Sequence, residues 1–470
     1  MKSVLSWCAG ALGLCLSAAP VVAATQPAGV TLPAYREVRL ANEALLVLME
    51  RRDVPLVAFN ASLRGGVTAE PAGLNGVAAV TAELLEKGAG GRDARQFAET
   101  VAAVGGVMTV AADNEKTEVS GEFMSRDIDL MIELLSDMLR APRLDKAEFE
   151  KVRTRAIQSV TAAKDSDPRQ LISTYASAFV YRDHPYGRAV TGSESTLERL
   201  THDDVLAYYA DNFGGDRLQL TMVGDFDADA IANRLEKRFG DWEPAKAPAP
   251  TIPKPSAARG ERVYLIDKPD ATQSYFWIGN IGVSRSDPDK AAIDLVNTLF
   301  GGRFTSMLNT ALRVESGLTY GARSTITRYA EPGTVAIVSY TANESTTEAI
   351  DMALALLDRL ERDGFDATTL ESGKTYRQGL FPLGFETNSQ LAAQVGQLKF
   401  YREPDAEVNE YATRIGAVSE KDARDVIGRV YPRRKDLVFV VIGSGDAIRE
   451  DIERYGKVTE IPISAPRFIE

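Results

Sequence analysis

The feature that most constrains the fold is that the chain closes each of its halves in the same way. The stretch "DRLQLTMVGDFDADAIANRLEKRFG", residues 216–240, parallels "KDLVFVVIGSGDAIREDIERYG", residues 435–456. Both read as a buried strand, a glycine turn, an acidic helix start and an amphipathic helix. The agreement continues upstream, where "THDDVLAYYADNF" answers "SEKDARDVIGRVY". Earlier still, "KTEVSGEFMSRDIDLMIELLSDML" answers "GTVAIVSYTANESTTEAIDMALALLDRL", each a strand passing at Asp, Ser or Thr into a helix with apolar residues at i, i+3 and i+4. Such a repeat predicts an α+β protein of two tandem homologous domains, each a mainly antiparallel sheet packed with helices on one face.

The boundary between the copies is "EPAKAPAPTIPKPSAARG", Glu243 to Gly260, which holds five prolines and no apolar period. The expected division is therefore a first domain at 35–243, a Pro/Ala-rich linker at 244–259 and a second domain at 260–470. Ahead of them, "MKSVLSWCAGALGLCLSAAPVVAATQPAG" carries one Lys, an apolar run through about Ala19 and small residues at Val22, Ala23 and Ala24. This predicts a secretory signal peptide at 1–24, and an exported, periplasmic protein with no membrane anchor. Cys8 and Cys15 both lie inside that segment, so the mature chain is expected to have no disulfide and no thiol ligand or nucleophile.

The net charge is −12, and no run of five or six Lys or Arg occurs. That argues against nucleic acid and anionic membrane as partners. The acidity would suit a mild preference for basic peptides, although solubility is its commoner cause.

Four stretches carry a family resemblance: "SLRGGVTAEPAGLNGVAAVTAELLEKGAG", "DHPYGRAVTGSESTLERLTHDDVLAYY", "MVGDF" and "LFGGRFTSMLNTALRVESGLTYGARS". Together they make the chain resemble the pitrilysin/insulinase-type zinc peptidases, in the branch of shorter subunits that includes the mitochondrial processing peptidases. In catalytic members the early helix resembles G-x-A-H-x-x-E-H-x-x-x-K-G, with two histidines for zinc and a glutamate that activates water. Setting Gly76, Ala78, Lys87 and Gly88 on that frame puts Ala79 and Glu83 at the histidine positions and Ala82 at the base position.

The family's third ligand, a Glu, would fall near Ser159 or Val160, and no acidic residue occurs from Lys151 to Lys164. A catalytic zinc needs three protein ligands, so the chain is expected to hold no metal or cofactor and to cleave nothing alone. The helix instead reads as an amphipathic core helix with Val77, Val80, Leu84 and Leu85 facing inward. The chain's two histidines, His184 and His202, are expected to cap or pack. Neither a G-x-S-x-G elbow nor a Walker loop is present.

In the second half, "LNTALRVESGLTYGARSTIT" reads as a helix ending near Gly317 and then a strand, with Arg313 in the last helical turn and Tyr320 on the strand. Taken alone, the two residues also suit a helix C-terminus and a strand start. The resemblance implies a further role: an Arg and a Tyr at this spacing bind the substrate backbone beside the scissile bond. Both are strong donors that can hold a carbonyl and its oxyanion. Gly301 and Gly302 in "LFGGRF" read first as a turn, and only secondarily as a substrate contact.

An empty zinc helix beside an intact Arg/Tyr pair implies a non-catalytic, substrate-binding subunit of a heterodimeric zinc endopeptidase acting on peptides or unfolded segments. The expected partner is a homologous subunit that carries the zinc. The alternative is a peptide-binding or scaffold protein of the same fold with no protease partner.

Overall fold

Residues Leu218–Gly224 and Val438–Gly443 are buried along their whole length. A strand achieves this only where both faces of its sheet are covered. The computed structural model, which describes residues 29–257, 259–260 and 262–469, shows what covers them. The expected signal segment lies outside the described residues.

The first half contributes β1 (Arg36–Arg39), β2 (Leu45–Glu50), β3 (Leu56–Arg64), a two-residue pair β4 (Gly88–Ala89) and β5 (Arg92–Asp93), β6 (Val107–Ala112), β7 (Lys116–Met124) and β8 (Leu218–Gly224). The second contributes β9 (Arg262–Asp267), β10 (Gln273–Ile281), β11 (Arg323–Ile326), β12 (Thr334–Ala342), β13 (Val438–Gly443) and β14 (Val458–Pro462). They form two six-stranded sheets, ordered β1-β2-β8-β3-β7-β6 and β14-β9-β13-β10-β12-β11.

Strand for strand the two sheets agree, including the parallel pairing of β2 with β8 and of β9 with β13 inside otherwise antiparallel ladders. Only the outermost strand differs. β1 joins antiparallel from the N-terminal side, and β14 joins parallel from the C-terminal side.

One face of each sheet carries the helices expected from the repeat. Met131, Leu134, Leu135 and Met138 of the Ile128–Arg140 helix share a core with Leu46, Leu48 and Phe59. In the second half, Ile350, Ala353, Leu354 and Leu357 of the Thr346–Asp363 helix meet Phe276, Ile278 and Phe439.

The other face of each sheet is covered by the opposite half, which the repeat did not foretell. Helix Ile172–Tyr181 of the first half lies on β10 and β13, and Phe179 stacks on Tyr264 of β9 at 3.8 Å between ring centroids. Helix Asn388–Phe400 of the second half lies on β3 and β8, where Leu391, Ala392, Val395 and Leu398 meet Met49, Ala58 and Val223. The latter contact is partly polar: Gln219 Nε2 donates to the Gly396 carbonyl at 2.6 Å. A side chain at 396 would bring its Cβ within 2.9 Å of Asn60 Oδ1, so glycine permits the close approach.

A buried carboxylate adds a second tie between the halves. Glu115 accepts hydrogen bonds from Tyr186 Oη, from Tyr401 Oη at 2.7 Å and from the Ala330 amide at 3.1 Å. No helix among the described residues is long and apolar enough to cross a membrane.

Candidate functional site

Helix Val77–Leu85 starts at Gly76, whose φ of 101° only glycine adopts without strain. Its first amides are held by Glu70, whose Oε1 accepts from Gly76 N at 2.9 Å and Ala78 N at 3.0 Å. Glu70 is buried, and its Oε2 has no partner. Desolvation pushes its carboxyl up to about 8, against the opposing pull of the two amides and of Arg188. The sequence reading passed over this residue, because nothing in "AEPAGLNG" distinguishes a helix-anchoring glutamate from a loop charge.

Val77, Val80, Leu84 and Leu85 are buried as their spacing predicts, and Ala82 is buried with them. Ala79 and Glu83, one turn apart, line a cavity of about 400 Å³ whose other wall is helix Lys146–Ser166. Ser159 and Val160 stand on that wall, so the structure gathers the family's three ligand positions around one space. The donors there do not fit a zinc ion. Alanine and valine offer no lone pair, Ser159 offers a neutral hydroxyl, and the single carboxylate, Glu83, is ion-paired with Arg155 and lies 3.9 Å from Lys87 Nζ. Among the described residues, no three His, Cys, Asp or Glu side chains come together in a way that could hold a metal.

The two histidines lie elsewhere, one capping a turn and one packing against a ring. His184 Nδ1 accepts the Tyr186 amide at 3.1 Å, and its Nε2 lies 2.7 Å from the Pro253 carbonyl, which fixes Nε2 as the donor. His202 Nε2 lies 2.6 Å from the Leu144 carbonyl, and its ring tilts against Phe149.

Arg313 sits in the π-helical segment Thr310–Glu315, which closes as Ser316 N–H donates to the Ala311 carbonyl five residues back, at 3.0 Å. The chain reverses at Gly317, φ 71°, as the sequence suggested. Tyr320, however, is not on a strand. It stands in the loop before β11, 77% exposed, and the strand begins only at Arg323. Side chains of β12 intercept the backbone groups that a ladder would have used: Thr341 Oγ1 donates to the Leu318 carbonyl at 2.6 Å and Ser339 Oγ to the Gly321 carbonyl at 3.0 Å.

Arg313 and Tyr320 nevertheless line one cavity of about 460 Å³, together with Tyr340 and Thr341 of β12. The Arg313 guanidinium also lies 4.9 Å from the Phe304 ring centroid. Gly301 and Gly302 close a second π-helical segment, Thr298–Gly302, rather than forming a simple turn. Gly301 lies flat against β11, where a Cβ would come within 2.1 Å of Ser324 N.

Two family models match in succession along the chain. Residues 47–194 match insulinase (peptidase family M16), and residues 199–376 match the peptidase M16 inactive domain. An uncharacterised zinc protease of Streptomyces coelicolor is 25% identical over 376 residues, covering 79% of this chain and 82% of the relative. The uncharacterised zinc protease YmxG of Bacillus subtilis is 23% identical over 378 residues, covering 80% and 91%.

Among solved structures, a peptidase M16 inactive domain from Pseudomonas fluorescens superposes with a TM-score of 0.80 at 20% identity, over 91% of this chain and 99% of that one. A protease from Helicobacter pylori superposes with a TM-score of 0.81 at 18% identity, over 88% and 100%. These last two likenesses speak to the fold. Taken with the consecutive family models and the frame of helix Val77–Leu85, they place the chain in the M16, pitrilysin/insulinase-type peptidase family, as a member that lacks the zinc motif.

Proposed function

We propose that this chain is the non-catalytic, substrate-binding subunit of a heterodimeric zinc endopeptidase that acts on peptides or unfolded segments, exported to the periplasm through its N-terminal signal. The observation that carries this reading is the contrast between its two cavities. The one at the metal position is neutralised by Arg155, and the one at the substrate-contact position keeps Arg313 and Tyr320 exposed and, among the described residues, free of carboxylate partners.

In this role Arg313 and Tyr320 donate hydrogen bonds to the peptide carbonyl next to the bond being cut. The planar guanidinium fixes the carbonyl's orientation, and both groups stabilise negative charge as it develops on the oxygen. Neither side chain needs to gain or lose a proton. Hydrolysis itself belongs to the zinc-bearing subunit.

The test is reconstitution. The mature chain and a zinc-bearing homologue from the same organism are purified separately and mixed, and cleavage of an unstructured peptide is followed. The mixture should cleave where each component alone does not. A zinc subunit as active alone as in the mixture would favour the scaffold alternative.

A further inference from the structure

A second cavity lined by Arg313, about 620 Å³, opens between the first half's segment 169–173 and the second sheet. Arg169, Arg303, Arg313 and Arg323 all line it, beside Tyr275 and Tyr340, and no Asp or Glu does. In a chain of net charge −12 this is a local inversion of sign.

Elsewhere on the surface, arginines pair readily with carboxylates, as Arg429 does with Asp287 and Asp289 or Arg449 with Glu460. Here Arg169 reaches only Asp167, at 3.6 Å. Arg303, Arg313 and Arg323 have no carboxylate within ion-pair distance among the described residues.

Two of the four are held in place without being neutralised. Arg303 Nη1 donates to Ser372 Oγ at 3.1 Å, yet its Nε is buried with no partner at all. Among the described residues, Arg313 is held by the Phe304 ring alone. Four guanidinium groups around one space repel each other, and among the described residues only Asp167, beside Arg169, offsets this. A cavity lined by one sign of charge focuses its field on an incoming ion of the other sign, and positioned guanidinium groups bind carboxylate oxygens in pairs.

We propose that this cavity is a carboxylate subsite, and that the peptides bound at Arg313 and Tyr320 carry an acidic side chain or a free C-terminal carboxylate at the position that enters it. The inference rests on the peptide-binding reading and gives it a substrate class opposite to the one that net charge would suggest.

The test uses the full mature chain and fluorescein-labelled Ala/Ser dodecapeptides with a single central Glu, Gln or Lys, each made with a free and with an amidated C-terminus. Affinity is read by fluorescence anisotropy. The Glu peptide should bind roughly tenfold tighter than the Gln peptide and the Lys peptide weakest, a difference that shrinks with added salt.

If amidation weakens binding and the central Glu-to-Gln change does not, the carboxylate that enters is the chain terminus, and the subsite stands. Arg323→Glu, at an exposed strand position, should abolish the preference while circular dichroism stays unchanged. Equal affinity for all six peptides would overturn the subsite and leave peptide binding intact. Failure of every peptide to bind would bring down both readings.

Discussion

Arg155 and Glu83 form an ion pair across the cavity in which helix Val77–Leu85 faces helix Lys146–Ser166. An arginine has taken the place a cation would occupy beside the only carboxylate there. The chain should therefore retain no stoichiometric zinc after dialysis, and metal analysis showing about one zinc per chain would refute this. Both side chains are partly exposed, so Arg155→Ala should cost less than about 1 kcal/mol in a chemical denaturation experiment, and it should not create zinc binding.

Removing a single oxyanion donor commonly lowers turnover roughly a hundredfold to a thousandfold. Arg313→Ala and Tyr320→Phe should each do so in the reconstituted pair. Assembly should survive, because Tyr320 and Arg313 are both exposed and Arg313 leans on the exposed Phe304 ring. Arg313→Lys keeps the charge without the planar fork and should recover only part of the loss. The measurement is peptide-cleavage kinetics on complexes first shown intact by size-exclusion chromatography, and near wild-type rates for both single variants would remove these residues from the site.

A partner should dock against the second half, since Arg313 and Tyr320 must face its zinc. Co-expressed with a zinc-bearing homologue, the chain should elute as a one-to-one complex. Substitutions on the exposed surface around Phe304 and Val314 should weaken that complex more than equivalent changes near β1. The reverse order would place the interface elsewhere.

Glu70 gives stability a definite pH dependence. Its folded pKa, about 8, lies above the ordinary 4.5, so the folded chain holds this proton more tightly than the unfolded chain. Its contribution is thus fully present below about 4.5 and is lost as pH rises through about 8, with a slope of at most about 1.4 kcal/mol per pH unit. Glu70→Gln preserves an acceptor for the Gly76 and Ala78 amides and should flatten that decline. Thermal unfolding of both proteins from pH 5 to 8 decides it, and parallel curves would show that Glu70 is not the titrating group.

Much of the fold was legible because the signals were local. Periodicity located β8 and β13 with the helices after them, and the inward face of helix Val77–Leu85 followed from spacing alone. Gly317 marked the end of the Arg313 helix for the same reason. What escaped notice was decided between distant residues. Tyr320 left its expected strand because Thr341 and Ser339 claim the backbone carbonyls on either side of it, those of Leu318 and Gly321. Arg169 is far in sequence from Arg303, Arg313 and Arg323, so their convergence had no signature in the chain. Helix Asn388–Phe400 has Leu391, Val395 and Leu398 on its buried face, but that face packs on the first sheet, and Gly396 meets Asn60, Gln219 and Thr221, so nothing local announced where it lies.

That helix also sets an order on biogenesis. β3 is made early, yet Leu56 waits for Asn388, 332 positions later, before its carbonyl receives the side-chain amide at 3.1 Å. The second sheet waits in the opposite sense, with helix Ile172–Tyr181 in place long before β10 and β13 exist to receive it. Contacts so far apart in sequence are slow to close, and until they do each sheet keeps an apolar face open to solvent. A chain truncated before residue 388 would leave the first sheet uncovered for good. The interleaving therefore makes completion of the whole polypeptide the step that commits either half to its native state.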